Sequence, residues 1–110
     1  MAYDEVLAQR IHDVLDGEQG LTSKKMFGGL GFMLDGNMAV AAGSGGALMV
    51  RVDPSDGESW IDGVAVAPME MRGREMSGWL LVDRSALATD EQLELWVGRG
   101  AAFVWTLPPK

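Results

Sequence analysis

The chain has 110 residues, enough for one domain with a real core and too few for two. Nine Lys and Arg against sixteen Asp and Glu leave a net charge of −7, the wrong sign for a free-standing nucleic-acid binder. With 47% hydrophobic and 23% charged residues the chain is not a disordered tail, and with no cysteine it has no disulfide, zinc finger, thiolate redox pair or cysteine nucleophile. No apolar run reaches the ~20 residues of a membrane span. The start Met1-Ala2-Tyr3-Asp4-Glu5 is acidic and lacks the basic and apolar regions of a signal peptide. The expectation is a single cytoplasmic domain over residues 1–110 without membrane contact.

Residues 4–16 read as an amphipathic helix. Val6, Leu7, Ile11, Val14 and Leu15 recur near the 3.6-residue period, with Asp4 and Glu5 at the positive end of the dipole and Gly17 and Gly20 at the stop. From Thr22 to Val52 glycines punctuate short apolar runs. Asp35-Gly36 is a hairpin turn and 43–46 a looser one, which predicts three antiparallel strands near 24–34, 37–42 and 47–52. The register that follows pairs Phe32 with Ala39, Ala42 with Ala47 and Ala39 with Val50. It puts Leu30, Phe32, Leu34, Ala39, Ala41, Leu48, Val50 and Val52 on a core face. Met33, Met38, Val40, Met49 and Arg51 fall on a second, methionine-rich face that is only partly covered.

Asp53-Pro54-Ser55-Asp56 starts a short helix running to about Ile61, with Trp60 and Ile61 as its anchors. Residues 68–82 read as a second hairpin. A turn at Gly73-Arg74 pairs Met71 with Met76 and separates Leu80 and Val82 from Trp79 and Leu81. Thr89-Asp90-Glu91-Gln92 is a capping box that opens the last helix, with Leu93, Trp96, Val97, Gly100, Val104 and Leu107 on one stripe. Gly98 and Gly100 suit close packing on a sheet, and Pro108-Pro109 ends the helix. The fold class is α+β: one domain of order α-βββ-α-ββ-α, helices packed on an antiparallel sheet.

Catalytic signals are sparse. His12 is the only histidine, so neither a transition-metal site nor a Ser-His pair is expected, and the site expectation is no catalytic, cofactor or metal residue. Most carboxylates sit at helix starts and turns, where capping and solvation explain them. Ser44 lies in Gly43-Ser44-Gly45-Gly46, which lacks the spacing and the following helix of a nucleophile elbow. The glycine-rich stretches 27–31 and 43–46 lead into strands, not helices, so they read as turns and bulges before they read as phosphate cradles.

Positive charge gathers at Lys24-Lys25, Arg51, Arg72 and Arg74. Two readings stand: solvated lysines and arginines that guard a sheet edge, or a site for an anionic partner. Trp60 and Trp96 by helix position and Trp79 by strand belong to the core, whereas Trp105 falls off the last helix's apolar stripe and is a candidate interface aromatic. The candidate partner contacts are therefore Lys24, Lys25, Arg51 and Trp105.

The run Lys24-Lys25-Met26-Phe27-Gly28-Gly29-Leu30-Gly31-Phe32, followed by Asp35-Gly36-Asn37-Met38-Ala39, resembles the signature of the TfoX/Sxy N-terminal domain family. Leu48 to Val52, Pro68-Met69, Gly78-Trp79 and the closing Leu107-Pro108-Pro109-Lys110 extend the resemblance over essentially the whole chain. It implies an α+β domain of secretion-chaperone-like type, here without the C-terminal helical domain of the two-domain members. Those members regulate natural competence with the cyclic-AMP receptor protein. It carries no catalytic residues. In this motif Met26, Phe27, Gly28, Gly29, Phe32 and Gly36 are the expected scaffold, and Lys24 and Lys25 the expected contact.

Function is then expected to be that of a non-enzymatic regulatory module that binds a protein partner or itself, without cofactor and without direct nucleic-acid binding. The alternatives are a small-molecule binder or small enzyme using the methionine-rich face, and a DNA-binding accessory.

Overall fold

The computed structural model describes residues 4–26, 29–43, 46–71 and 73–108. Helix α1 (Glu5–Leu15) is capped by Asp4, whose Oδ1 accepts from the N–H groups of Val6 (2.9 Å) and Leu7 (3.1 Å). Its buried stripe is Leu7, Ala8, Ile11 and Leu15, and Gly17, at φ 91°, turns the chain away.

The strands are β1 (Leu21–Met26), β2 (Gly29–Leu34), β3 (Asn37–Ala42), β4 (Leu48–Arg51), β5 (Val66–Met71) and β6 (Arg74–Val82). Between β4 and β5 lies α2 (Pro54–Trp60), and after β6 come a 3₁₀ turn (Arg84–Leu87) and α3 (Asp90–Val104). All six strands form one antiparallel sheet in the order β1-β2-β3-β4-β6-β5. The α+β class and the helix positions agree with the sequence reading, but the expected first strand does not. Residues 24–34 are the parts of two strands, β1 and β2, which pair with each other from Leu21↔Leu34 to Met26↔Gly29. The hairpin connection at Phe27-Gly28 lies outside the described residues.

The turn at Asp35-Gly36 is as expected, with Leu34 opposite Asn37. Both turn residues have positive φ, 50° and 84°, the type I′ geometry that matches strand twist. The expected register beyond it is wrong by one residue. Met33 faces Met38 but Phe32 faces Val40, so Ala39 is an extra residue in β3. The bulge inverts the faces of the residues that follow. Val40 joins the core and Ala41 moves to the opposite face. The next loop slips in step: Gly43 N–H donates to Ala47 O, and Ala42 pairs with Leu48 and Val40 with Val50. In the second hairpin Met71 pairs with Arg74 rather than Met76, with Gly73 at φ 77° in the turn.

The corrected register gives rows that cross the sheet. Leu30, Ala42, Leu48, Val82 and Val66 form one core row; Phe32, Val40, Val50, Leu80 and Pro68 form the next. Phe32 is 1% exposed and Val40, Leu48, Val50 and Val82 are fully buried. All three helices pack on this face. A Cβ on Gly57 of α2 would sit 2.8 Å from Val52 and 3.7 Å from Leu80. Leu93, Trp96, Val97, Gly100, Ala101 and Val104 are the buried side of α3, as the stripe predicts. Gly100 lies against β3, but Gly98 is exposed and meets nothing within 4 Å, so the expectation that it eases packing on the sheet fails. The capping box is present: Thr89 Oγ1 accepts from Gln92 N–H, and Gln92 Oε1 from Thr89 N–H. The helix stops at Val104, before the prolines, with Trp105 as its C-cap.

Two polar side chains fasten the helix layer. Arg10 of α1 donates to the carbonyl oxygens of Leu87 (2.9 Å) and Thr89 (3.3 Å). Asn37, buried at the start of β3, donates to Pro108 O at 2.9 Å.

Candidate functional site

The sheet face turned away from the helices is apolar in its central row. Gly31, Ala41, Met49, Leu81 and Ala67 lie side by side across five strands, and Lys24 extends the row on the edge strand β1. A second row runs Thr22, Met33, Met38. Methionine supplies most of the cover. Met38 Sδ would lie 3.1 Å from a Cβ on Gly31, and Met49 Cε 3.6 Å from one on Gly43. Met33, Met38 and Met49 are half-buried, and Leu81 is 39% exposed. The expected methionine-rich face is thus present, with two changes. Val40 leaves it because of the bulge.

Arg51 also leaves it. Alternation puts this residue out of phase with Val50, but its guanidinium lies 5.8 Å from the ring centre of Phe103 on α3. Arg51 is the last residue of β4, and its long side chain turns round the strand end to the negative face of the ring.

That contact borders a groove of about 310 Å³ between α2 and α3. Val52, Trp60, Arg99, Ala102, Phe103 and Thr106 line it, with Asp53 and Asp56 on the α2 side. Trp60 and Trp96 meet edge to face, with centroids 6.1 Å apart and an interplanar angle of 88°. Arg99 is held by both rings, its guanidinium carbon 4.1 Å from the Trp60 centroid and 4.5 Å from that of Trp96. Burial pushes its pKa below the ordinary arginine value. The only ion pair among the described residues is Arg10–Asp90 at 3.6 Å, so neither Arg51 nor Arg99 has a carboxylate partner there. The sequence reading missed Arg99. Its one local signal is the Trp96-x-x-Arg99 spacing, which puts ring and guanidinium on neighbouring turns of a helix.

The expected contacts do not converge. Lys24 and Lys25 are exposed and adjacent on β1, yet they point to opposite faces: Lys24 pairs with Gly31 in the open row, Lys25 with Leu30 in a core row. Trp105 is 42% exposed at the end of α3. Of the motif's scaffold, Phe32 is core, Gly29 is buried opposite Met26 and Gly36 sits in the turn. Phe27 and Gly28 lie outside the described residues, as do Ser44 and Arg72.

His12 and Ser23 line a groove of about 280 Å³ between α1 and the β1–β2 hairpin. Among the described residues no cluster of three His, Cys, Asp or Glu side chains is placed to hold a metal ion, and no helix is long and apolar enough to cross a membrane. Asp62 Oδ1 accepts three backbone N–H groups, from Val64 (2.8 Å), Ala65 and Val66 (both 2.9 Å), and this nest ties α2 to β5.

The fold defines a small α+β domain in which one antiparallel sheet carries helices on a single face. Residues 13–104 match the family model of the TfoX N-terminal domain, and the chain belongs to that family. No curated protein matches the chain.

Proposed function

We propose that this TfoX N-terminal domain is a non-enzymatic regulatory module of the cytoplasm that works by binding a protein partner or a second copy of itself. The observation that supports it is the sheet face whose central row is Gly31, Ala41, Met49, Leu81 and Ala67. Helices cover the other face, and flexible, polarisable methionines are the side chains that repack most readily against a partner. Family membership supports a competence-regulator-like role, in which the domain acts on transcription through the protein it binds. The net charge of −7 opposes direct binding to nucleic acid.

The test compares wild type with Met38→Glu/Met49→Glu and with the milder Leu81→Glu. Affinity capture from the native host and sedimentation of the purified chain are the readouts, with thermal melts to confirm folding. The reading requires that folded variants lose the captured protein or the dimer that wild type shows. It fails if wild type stays monomeric and captures nothing, or if the variants behave like wild type.

A further inference from the structure

We propose that the outer edge of β1 takes up an extended, acidic segment of a partner protein as an added antiparallel strand, with one apolar side chain of that segment in the groove beside α1. This surface is the rim of the sheet and not its open face, so the inference stands or falls separately from the sheet-face reading.

The strand order β1-β2-β3-β4-β6-β5 leaves β1 and β5 as edges. β5 is blunted: Pro68 lies in it, and its pairing with β6 shifts between Pro68 and Glu70. β1 is not. Its pairs with β2 run in step from Leu21↔Leu34 to Met26↔Gly29, without proline or bulge. The Asp35 N–H donates to Gly20 O at 3.1 Å, one pair beyond Leu21↔Leu34, and this bond sets the alternation of the ladder. Thr22 and Lys24 bond to β2, and the N–H and C=O groups of Leu21, Ser23 and Lys25 face outward. Among the described residues none of the backbone hydrogen bonds outside the ladder reaches them. Main-chain pairing with an extended segment satisfies such an edge.

Side chains select the segment. Ser23 pairs with Phe32 and Lys25 with Leu30, so both stand on the helix side of the sheet. The core row of Phe32 and Val40 ends there on the small Ser23, and the groove of about 280 Å³ opens between β1 and α1. Ala8, Leu30 and Phe32 give it an apolar floor, which calls for an apolar residue opposite Ser23. Glu5 on the α1 wall keeps carboxylates out of the groove itself. Lys24 and Lys25 are exposed on the two sides of the edge, and β1 carries no acid, so the residues opposite them are acidic. The same lysines disfavour a second copy, whose own β1 would gather the lysines of both chains on one ribbon.

The probe is the peptide Ac-Thr-Glu-Glu-Leu-Thr-Val-NH₂, which in antiparallel register sets its glutamates opposite Lys25 and Lys24 and its leucine opposite Ser23. Amide hydrogen exchange and two-dimensional NMR of the whole chain are the readouts. Binding should newly protect the Leu21, Ser23 and Lys25 amides, whereas those of Thr22 and Lys24 are already bonded to β2. A Lys-Lys counterpart should bind about tenfold more weakly, because two attractive cross-strand pairs become repulsive. The Lys24→Glu/Lys25→Glu variant should reverse that preference, which a folding defect does not do. N-methylation of the peptide leucine, whose N–H faces β1, should abolish binding. N-methylation of the threonine after it, whose N–H faces away, should leave most of it. Leu81→Glu, on the open face of β6, should bind as wild type does. No binding, equal affinity for the two charge types, equal effects of the two methyl groups, or loss of binding in Leu81→Glu overturns the proposal. So does protection of the three amides that appears without peptide and grows with protein concentration, which would give the edge to a second copy.

Discussion

The backbone of Gly100 in α3 lies directly on the carbonyl of Ala39 in β3: a Cβ at Gly100 would stand 2.6 Å from that oxygen and 2.9 Å from Val40 Cγ1. Ala39 is the extra residue of the bulge, so the helix sits where the strand bends. Gly100→Ala must displace backbone, and it should destabilise the fold by about 1–3 kcal/mol, the usual cost of overpacking. Gly98→Ala, two residues earlier and in open space on the exposed side of α3, should leave stability unchanged or raise it by up to about 1 kcal/mol, because alanine is the better helix former. Urea unfolding of the two variants beside wild type measures both. Equal midpoints for Gly100→Ala and wild type would mean that α3 can slide off the bulge at no cost.

Arg10 offers a test of which polar contact holds α1 to the rest of the helix layer. It donates to the carbonyls of Leu87 and Thr89, and it pairs at 3.6 Å with an Asp90 that is 93% exposed. The carbonyl bonds fix a part-buried charged donor, whereas the ion pair is screened by water. Arg10→Ala should therefore cost about 1–2 kcal/mol and Asp90→Ala less than about 0.5 kcal/mol. Chemical denaturation measures the pair. A larger loss from Asp90→Ala than from Arg10→Ala reverses the assignment.

The acid limb of the stability curve follows from two capping carboxylates. Backbone N–H groups of Val66, Val64 and Ala65 hold the Asp62 carboxyl below its ordinary value of 3.8. Hydrogen bonds from the Ser85 N–H and hydroxyl do the same for Asp83. A depressed folded-state pKa means a contribution fully present above the unfolded value, near pH 4, and lost as pH falls through the lower folded value. Melting temperature should drop below about pH 4 and drop less steeply in Asp62→Asn, whose amide oxygen still accepts the three N–H bonds but does not titrate in this range. Thermal melts from pH 2 to pH 6 give the comparison. Parallel acid limbs would show that Asp62 keeps an ordinary pKa.

What was legible in the sequence was local. Asp4, Asp53 and Thr89 announce three helix starts because capping depends on a residue and its next few neighbours. Asp35-Gly36 announces its turn because few residue pairs take positive φ twice. The bulge was not legible. Ala39, Val40, Ala41 and Ala42 are all apolar and all at most 1% exposed, so no alternation marks where the faces change. The division of 24–34 into two strands was hidden likewise, since apolar residues continue through Phe27 and the glycines there read as well for a bulge as for a turn. The Arg99 site joins α2 to α3, and Trp60 and Trp96 had reason to be core on period alone. Trp96 is core, at 7% exposure, but Trp60 is the wall of a groove.

The register divides the two lysines of the family motif in a way that their adjacency conceals. Lys24 extends the open row of Gly31, Ala41 and Met49, and Lys25 stands beside Leu30 on the helix side. Both are exposed on an edge strand, where lysine also discourages pairing with another chain. Reversing either charge should shift stability by no more than about 0.5 kcal/mol, as surface changes do. Their effects on a partner that docks on the sheet face should differ. Lys24→Glu changes the rim of that surface and should slow association and alter its salt dependence, while Lys25→Glu should leave both near wild type. Association kinetics at two salt concentrations, with the partner recovered by affinity capture, separate the variants. Equal effects would mean that the field of the whole edge matters and the face does not. A larger effect from Lys25→Glu would move the contact to the helix side of the sheet, where the groove beside α1 lies.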